Sequence, residues 1–204
     1  IKLNKLMIKH IVLSGGGPNN IIQLGCIHEL YKNKVIEQKN IESVYATSAG
    51  AILGLTIVLK YDMDTVSDFF IKRPWHKVFN FNAKELMEIV ENNGYMDMKF
   101  VEEIIDMFLT AKNHSKDITL IEIYNEYKIY FNIFVVRLNT FDKVVLNHET
   151  YPSMPIKIAI LMSCALPPIF KPVCYNGEYY IDGGMKCNYP INDCILRYTN
   201  IDEI

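Results

Sequence analysis

The run SVYATSAGAILGLTIVL, residues 43–59, changes character without a break. Its first part is apolar and β-prone, its second is a run of small and helix-compatible residues, and Ser48 stands at the junction. A strand that becomes a helix across a single residue leaves no room for a flexible loop, so the backbone must turn sharply there. Folds that accept such a junction are those in which strands feed helices that pack back onto the sheet. The helical part, Ala49–Leu59, is shorter than the roughly 20 residues a membrane span needs and reads as a buried helix.

The flanking sequence supports the same class. IKHIVLS is a short β-branched run, GGGPNN a loop, and IIQLGCIHELYKN places Ile22, Cys26, Ile27 and Leu30 at helical spacing before the strand IESVYAT. Residues 62–126 read as mostly helical, with DMDTVSDFFIK and DMKFVEEIIDMFLTAK each opening on an aspartate suited to capping, Asp62 and Asp97. YKIYFNIFVVRLNTFDKVVLNH returns to strands, with NTFD as a hairpin turn. PIKIAILMSCAL is a helix stopped by Pro167 and Pro168, and GEYYIDGG is a strand running into a glycine turn. At 204 residues, without repeats or linker-like tracts, one α/β domain is the simplest organisation.

Composition excludes several classes. Half the residues are apolar and 22% are charged, as in ordinary globular proteins. Lys+Arg 21 against Asp+Glu 23 leaves a net charge of −2, without the basic surplus of a dedicated nucleic-acid binder. The N-terminus IKLNKLMIKH has neither the apolar core of a secretory signal nor an initiator methionine, so the chain is expected to be cut from something longer. Five cysteines, Cys26, Cys164, Cys174, Cys187 and Cys194, form no C-x-x-C pair and have no clustered histidines. They are expected to be reduced, mostly buried thiols of a cytosolic protein, with no zinc site.

Three motifs carry candidate chemistry. Gly15, Gly16 and Gly17 follow a strand and precede a helix, so their N–H groups can converge on an anion, either a phosphate or the oxyanion of a tetrahedral intermediate. A nucleotide is disfavoured: no G-K-[ST] follows, the G-x-G-x-x-G spacing fails at Asn20, and no acidic residue ends the second strand. Ser48 in A-x-S-x-G departs from the G-x-S-x-G elbow only in Ala46; alone, it reads as a helix cap rather than a nucleophile. Asp182 ends a strand ahead of Gly183 and Gly184; alone, it reads as a turn aspartate. Because all three follow strands of one α/β chain, they can meet along the carboxyl edge of a parallel sheet.

A His-containing triad is not supported. None of His10, His28, His76, His114 and His148 follows Asp182 in the chain, and only His148, in VLNHET, sits at a strand end. A Ser–Asp dyad is the more economical reading.

With LSGGG (13–17), TSAGAI (47–52), SCALPPIFKPV (163–173) and DGG…NYP (182–190) in hand, the sequence resembles the patatin-like phospholipases from about Ile8 to Pro190. That resemblance implies a three-layer α/β/α fold with a mainly parallel central sheet. It implies a lipid acyl hydrolase that cleaves carboxylic esters through Ser48 and Asp182, with Gly15, Gly16 and Gly17 as oxyanion hole and no cofactor or metal. The implied partners are an acyl lipid or phospholipid substrate and, transiently, a membrane surface, with no nucleic acid and a cytoplasmic setting. Asn19 and Asn20 stand where the family's loop carries a basic residue and a glycine. The alternative is accordingly a catalytically weakened patatin-fold protein acting as a lipid-binding or scaffold module. The stretch DFFIKRPWHKVFNFN (68–82) interleaves Phe69, Phe70, Trp75, Phe79 and Phe81 with Lys72, Arg73 and Lys77. It reads either as a membrane-interface element or as a helix end whose aromatics pack in the core.

Overall fold

A computed structural model of the chain describes residues 7–74 and 98–204. Six strands, β1 (His10–Leu13), β2 (Ser43–Thr47), β3 (Tyr130–Arg137), β4 (Asp142–Leu146), β5 (Val173–Tyr175) and β6 (Glu178–Asp182), form one sheet. Around it lie α1 (Asn20–Lys32), α2 (Ala49–Val58), α3 (Met63–Lys72), α4 (Lys99–Ala111), α5 (Leu120–Tyr127), α6 (Ile156–Cys164) and α7 (Ile191–Arg197). No helix among the described residues is long and apolar enough to cross a membrane.

Local chemistry accounts for most boundaries. Asp62 caps α3 by accepting the Thr65 N–H at 2.9 Å, satisfying one of the donors a helix start leaves free. The second expected cap, Asp97, lies outside the described residues, and Met98 occupies the N-cap of α4. Helix α1 forms where the spacing indicates, but of Ile22, Cys26, Ile27 and Leu30 only Ile27 is buried, joined by Leu24. Ile22 is 68% exposed. Of the five cysteines, Cys164 and Cys194 are buried, Cys187 is intermediate, and Cys26 and Cys174 are exposed, so the expectation of mostly buried thiols does not hold. Cys26 lies on the outer side of α1 and Cys174 on the short edge strand β5.

The sheet order is β1-β2-β3-β6-β5, with β4 also paired to β3. The expected parallel arrangement holds for β1, β2 and β3, and β3 and β4 pair antiparallel across the expected NTFD hairpin; the β3–β6 and β5–β6 ladders are antiparallel too, so the sheet is mixed. The cause is local. β3 and β4 are joined by a turn at residues 138–141, and β5 and β6 by Asn176 and Gly177, both with positive φ (50° and 82°). Strands joined that tightly can only run antiparallel, and Asn-Gly supplies the two left-handed residues of a type I′ hairpin.

The two faces of the sheet are covered unequally. Val44, Ala46, Phe131 and Ile133 point into the larger core, where α2 lies so close that a Cβ on Gly54 would sit 2.9 Å from the Phe131 ring. Leu55, Ile57, Leu59, Ile105 and Leu109 are fully buried there, each worth about 1.5–3 kcal/mol of transfer free energy. The alternate residues Tyr45 and Phe134 face the other way, into a small cluster closed by Cys194 of α7 and by Tyr198. Phe69 and Phe70 pack against Phe108 at ring separations of 4.8 and 6.1 Å, as the core reading of the aromatic stretch requires. Trp75, Lys77, Phe79 and Phe81 lie outside the described residues.

Strand β3 positions the site. On one edge it pairs with β4 through Ile133–Arg137. On the other, β2 occupies Tyr130–Phe134 in parallel and β6 occupies Val135–Arg137 in antiparallel. Two strands thus approach along one edge of β3 from opposite directions and stop at adjacent positions. Thr47 pairs with Phe134 and Asp182 with Val135.

Candidate active site

Ser48 follows Thr47 at that meeting point, with φ 55° and ψ −130°. This conformation is costly for a residue with a side chain, of order 1–3 kcal/mol, and persists only where the surroundings impose it. Two contacts do so. The Ser48 N–H donates to Ser163 Oγ at 2.8 Å, and the Ser163 hydroxyl donates to the Phe134 carbonyl at 2.7 Å. At the start of α2, Gly50 lies against β1, where a Cβ would come within 2.5 Å of the Ser14 carbonyl. Glycine there lets the helix close on the strand and sharpens the turn. Ala46 is tolerated because its methyl lies in the sheet's own core, between Leu13 of β1 and Ile133 of β3.

Asp182 reaches the same point from the other side. It is 2% exposed, its N–H donates to the Ala165 carbonyl at 3.0 Å, and its Oδ1 accepts the Gly184 N–H at 2.7 Å. Burial pushes its carboxyl above the ordinary aspartate range; hydrogen bonds from the Ser48 side chain and the Gly184 N–H pull the other way without cancelling the rise. Gly183 leaves no room for a side chain, since a Cβ would collide with the Phe134 carbonyl. The end of α6 therefore holds both strand ends, Ser48 through Ser163 and Asp182 through Ala165.

The glycine loop is the third part. Gly15 is wedged against the serine, where a Cβ would lie 2.9 Å from Ser48 Cβ and 2.5 Å from Asn188 Oδ1. Its own N–H, expected to be an oxyanion donor, donates to the Asn188 carbonyl at 3.1 Å. Gly16 is extended and Gly17 takes a positive φ of 53°. Among the described residues, the N–H groups of these two glycines have no protein acceptor. Asn20 Nδ2 donates to the Ser14 carbonyl at 3.3 Å and Gln23 Nε2 to Ser14 Oγ at 3.0 Å, which pins the loop's first residue to α1. Ala49, the first residue of α2, adds one more N–H that the helix leaves unpaired.

The described histidines stand elsewhere. His148 is stacked on Tyr124 at 3.5 Å and edges Tyr130, at the far end of β3 from Val135. His10 bonds Ser43 Oγ at 2.8 Å and stacks on Tyr198, His28 pairs with Asp64, and His114 bonds the Tyr127 hydroxyl. His76 lies outside the described residues. Among the described residues, no cluster of His, Cys, Asp and Glu is arranged to hold a metal ion. Ser163, Asn188 and Ala49 carry no role in the sequence reading, although they lie within its SCALPPIFKPV, DGG…NYP and TSAGAI segments.

A strained serine, a buried carboxylate and a glycine loop are thus gathered at the strand ends of an α/β sheet. The patatin-like phospholipase family model matches residues 11–195, and the chain belongs to that family. A protein of Acanthamoeba polyphaga mimivirus, uncharacterised protein R571, is 28% identical over 191 residues, spanning 93% of this chain and 62% of its own length. Probable lipid hydrolase 463L of invertebrate iridescent virus 6 is 26% identical over 195 residues, spanning 94% of this chain and 64% of its own. The chain thus spans less than two thirds of the length of these relatives. Among solved structures, VipD from Legionella pneumophila superposes with a TM-score of 0.59 at 17% identity, over 87% of this chain and 46% of that one. The type III effector ExoU superposes with a TM-score of 0.53 at 20% identity, over 79% and 41%. At such identities the likeness is one of fold.

Proposed function

We propose that the chain is a lipid acyl hydrolase of phospholipase A or esterase type, in which Ser48 and Asp182 form a catalytic dyad. The observation that carries this reading is the convergence, on adjacent positions of β3, of a serine in a strained turn and a carboxylate buried beside it. Ser48 Oγ attacks the ester carbonyl while Asp182 accepts its proton. The tetrahedral oxyanion then collapses, the alcohol leaves with that proton, and water, deprotonated by Asp182, hydrolyses the acyl-enzyme and restores Ser48. A solvated aspartate is too weak a base for this work. Burial raises the Asp182 carboxyl toward the working range, and the neighbouring Ser48 side chain lowers it only in part. The N–H groups of Gly16, Gly17 and Ala49 are the donors available to the oxyanion, each worth about 3 kcal/mol when well aimed.

The named lipid hydrolase among the relatives supports an acyl lipid as substrate, and brief contact with a membrane surface in a cytoplasmic setting fits such a substrate. The second reading, a non-catalytic lipid-binding module, rests on Asn19 and Asn20, of which Asn20 braces the glycine loop through Ser14. Labelling with a fluorophosphonate and hydrolysis of a short-chain p-nitrophenyl ester separate the two. The catalytic reading expects wild type to label and turn over. It expects Ser48→Ala not to label and to lose about 10⁴-fold or more in kcat, as nucleophile removal does elsewhere. Asp182→Asn is expected to lose most of the activity, and wild-type kcat/KM to fall through a pKa above that of an ordinary aspartate as pH drops. Equal hydrolysis by all three proteins removes the dyad.

A further inference from the structure

The glycine loop is held by one residue from the acid-bearing turn. Asn188 grips Gly15 at both ends: its carbonyl accepts the Gly15 N–H at 3.1 Å, and its Nδ2 donates to the Gly15 carbonyl at 3.2 Å. The two residues are 173 positions apart, and the grip requires glycine, since a Cβ at residue 15 would come within 2.5 Å of Asn188 Oδ1. In a trans peptide the C=O of one residue and the N–H of the next point in opposite directions. Fixing the Gly15 carbonyl on the Asn188 amide therefore fixes the direction of the Gly16 N–H. On the upstream side Ser14 is pinned to Asn20 and Gln23, so the peptide between Gly15 and Gly16 is the one whose rotation Asn188 settles. The turn that carries Asn188 is itself anchored: Thr47 Oγ1 donates to the Cys187 carbonyl at 2.9 Å, and the Cys187 N–H donates to Gly183 at 2.7 Å.

We propose that Asn188 is a positioning residue that aims the Gly16 N–H at the oxyanion, so that the turn bearing Asp182 also sets the geometry of the glycine loop. This rests on the catalytic reading of the site. A purely structural role fits less well, because Asn188 is exposed and its truncation opens no buried cavity.

The test compares Asn188→Ala and Asn188→Asp with wild type and Ser48→Ala on p-nitrophenyl butyrate, with melting temperatures and amide hydrogen exchange of residues 14–19 measured alongside. Both variants remove the Nδ2 donor, and only one adds charge. The expected result is a ~10–100-fold fall in kcat in both, since one oxyanion donor lost outright costs about 10²–10³-fold. KM should stay within threefold, the acid limb of the pH profile should not move in Asn188→Ala, and melting temperatures should stay within about 3 °C. Exchange at residues 14–19 should be faster in both variants. Wild-type kcat in both variants overturns the proposal, as does a loss confined to the aspartate variant or one that follows a fall in melting temperature. If wild type itself is no more active than Ser48→Ala, the catalytic reading fails. Exchange at residues 14–19 then decides the latch by itself, faster exchange at unchanged stability supporting it and unchanged exchange overturning it.

Discussion

Two strand ends meet on one edge of β3, and they bear their costs differently. At the end of β2 the cost is conformational: Ser48 takes a backbone geometry that its side chain disfavours, and Gly50 and Ser163 hold it there. At the end of β6 the cost is electrostatic, because Asp182 has relaxed geometry but sits in a place that disfavours its charge. Conformational strain does not change with pH, whereas the cost of a buried charge does. The two ends can therefore be told apart by how their substitutions respond to acid.

The largest effect on stability is expected from filling the gap between the two ends. Gly183→Ala drives a methyl into the Phe134 backbone carbonyl, which cannot move without disturbing three ladders, and should cost about 3 kcal/mol or more in urea unfolding. Next comes Ser163→Ala, which strands both the Ser48 N–H and the Phe134 carbonyl; a loss of about 1–3 kcal/mol is expected. Because Ser48 then loses one of its two restraints, fluorophosphonate labelling should slow by more than the melting temperature alone explains. A Ser163→Thr variant that keeps the hydroxyl should recover much of the rate.

Asp182→Asn gives the sharpest contrast. A carboxyl whose pKa is raised on folding makes its stabilising contribution below its unfolded-state pKa and loses it as pH rises through the folded-state value. The asparagine variant should therefore equal or exceed wild type in melting temperature at neutral pH, with that advantage shrinking as the pH falls below the folded-state value. Ser48→Ala should show no such pH-dependent difference. An asparagine variant that is less stable at neutral pH and recovers in acid would break the comparison. The smallest effect is expected from His148→Gln: burial and Arg197 keep that imidazole below its ordinary pKa and hence uncharged at neutrality. Its ring contacts with Tyr124 and Tyr130 are lost, and kcat should stay within twofold.

Much of the site is legible in the sequence because its parts are local. Ser48 lies between a β-prone and a helix-prone run, Asp182 ends a strand before two glycines, and the glycine loop opens a helix, so each follows from its neighbours alone. What escapes is long-range. That β2 and β6 share one edge of β3 depends on where a ladder stops, and no periodicity records that. The Gly15 N–H looks like a free donor until Asn188, far along the chain, is found to use it. The antiparallel β5–β6 hairpin was signalled by Asn176-Gly177 between two β-prone runs, a short turn outweighed by the α/β alternation at the N-terminus. The exposed side of α1 shows the limit of spacing: Ile22 and Cys26 keep helical period but lie away from the sheet.

Because Thr47 and Asp182 are both registered against adjacent residues of β3, that strand acts as a common ruler for the serine and the carboxylate. Bending or twisting of the sheet carries the pair together and leaves their separation nearly constant. A slip of β6 by one residue would instead bring Ile181 to the mark and turn the carboxylate to the opposite face. The tight hairpin at Asn176 and Gly177, remote from any chemistry, keeps β6 in register with β5. Alignment of the site is thus robust to slow deformation of the whole sheet and sensitive to a change of a single residue in the length of one surface turn.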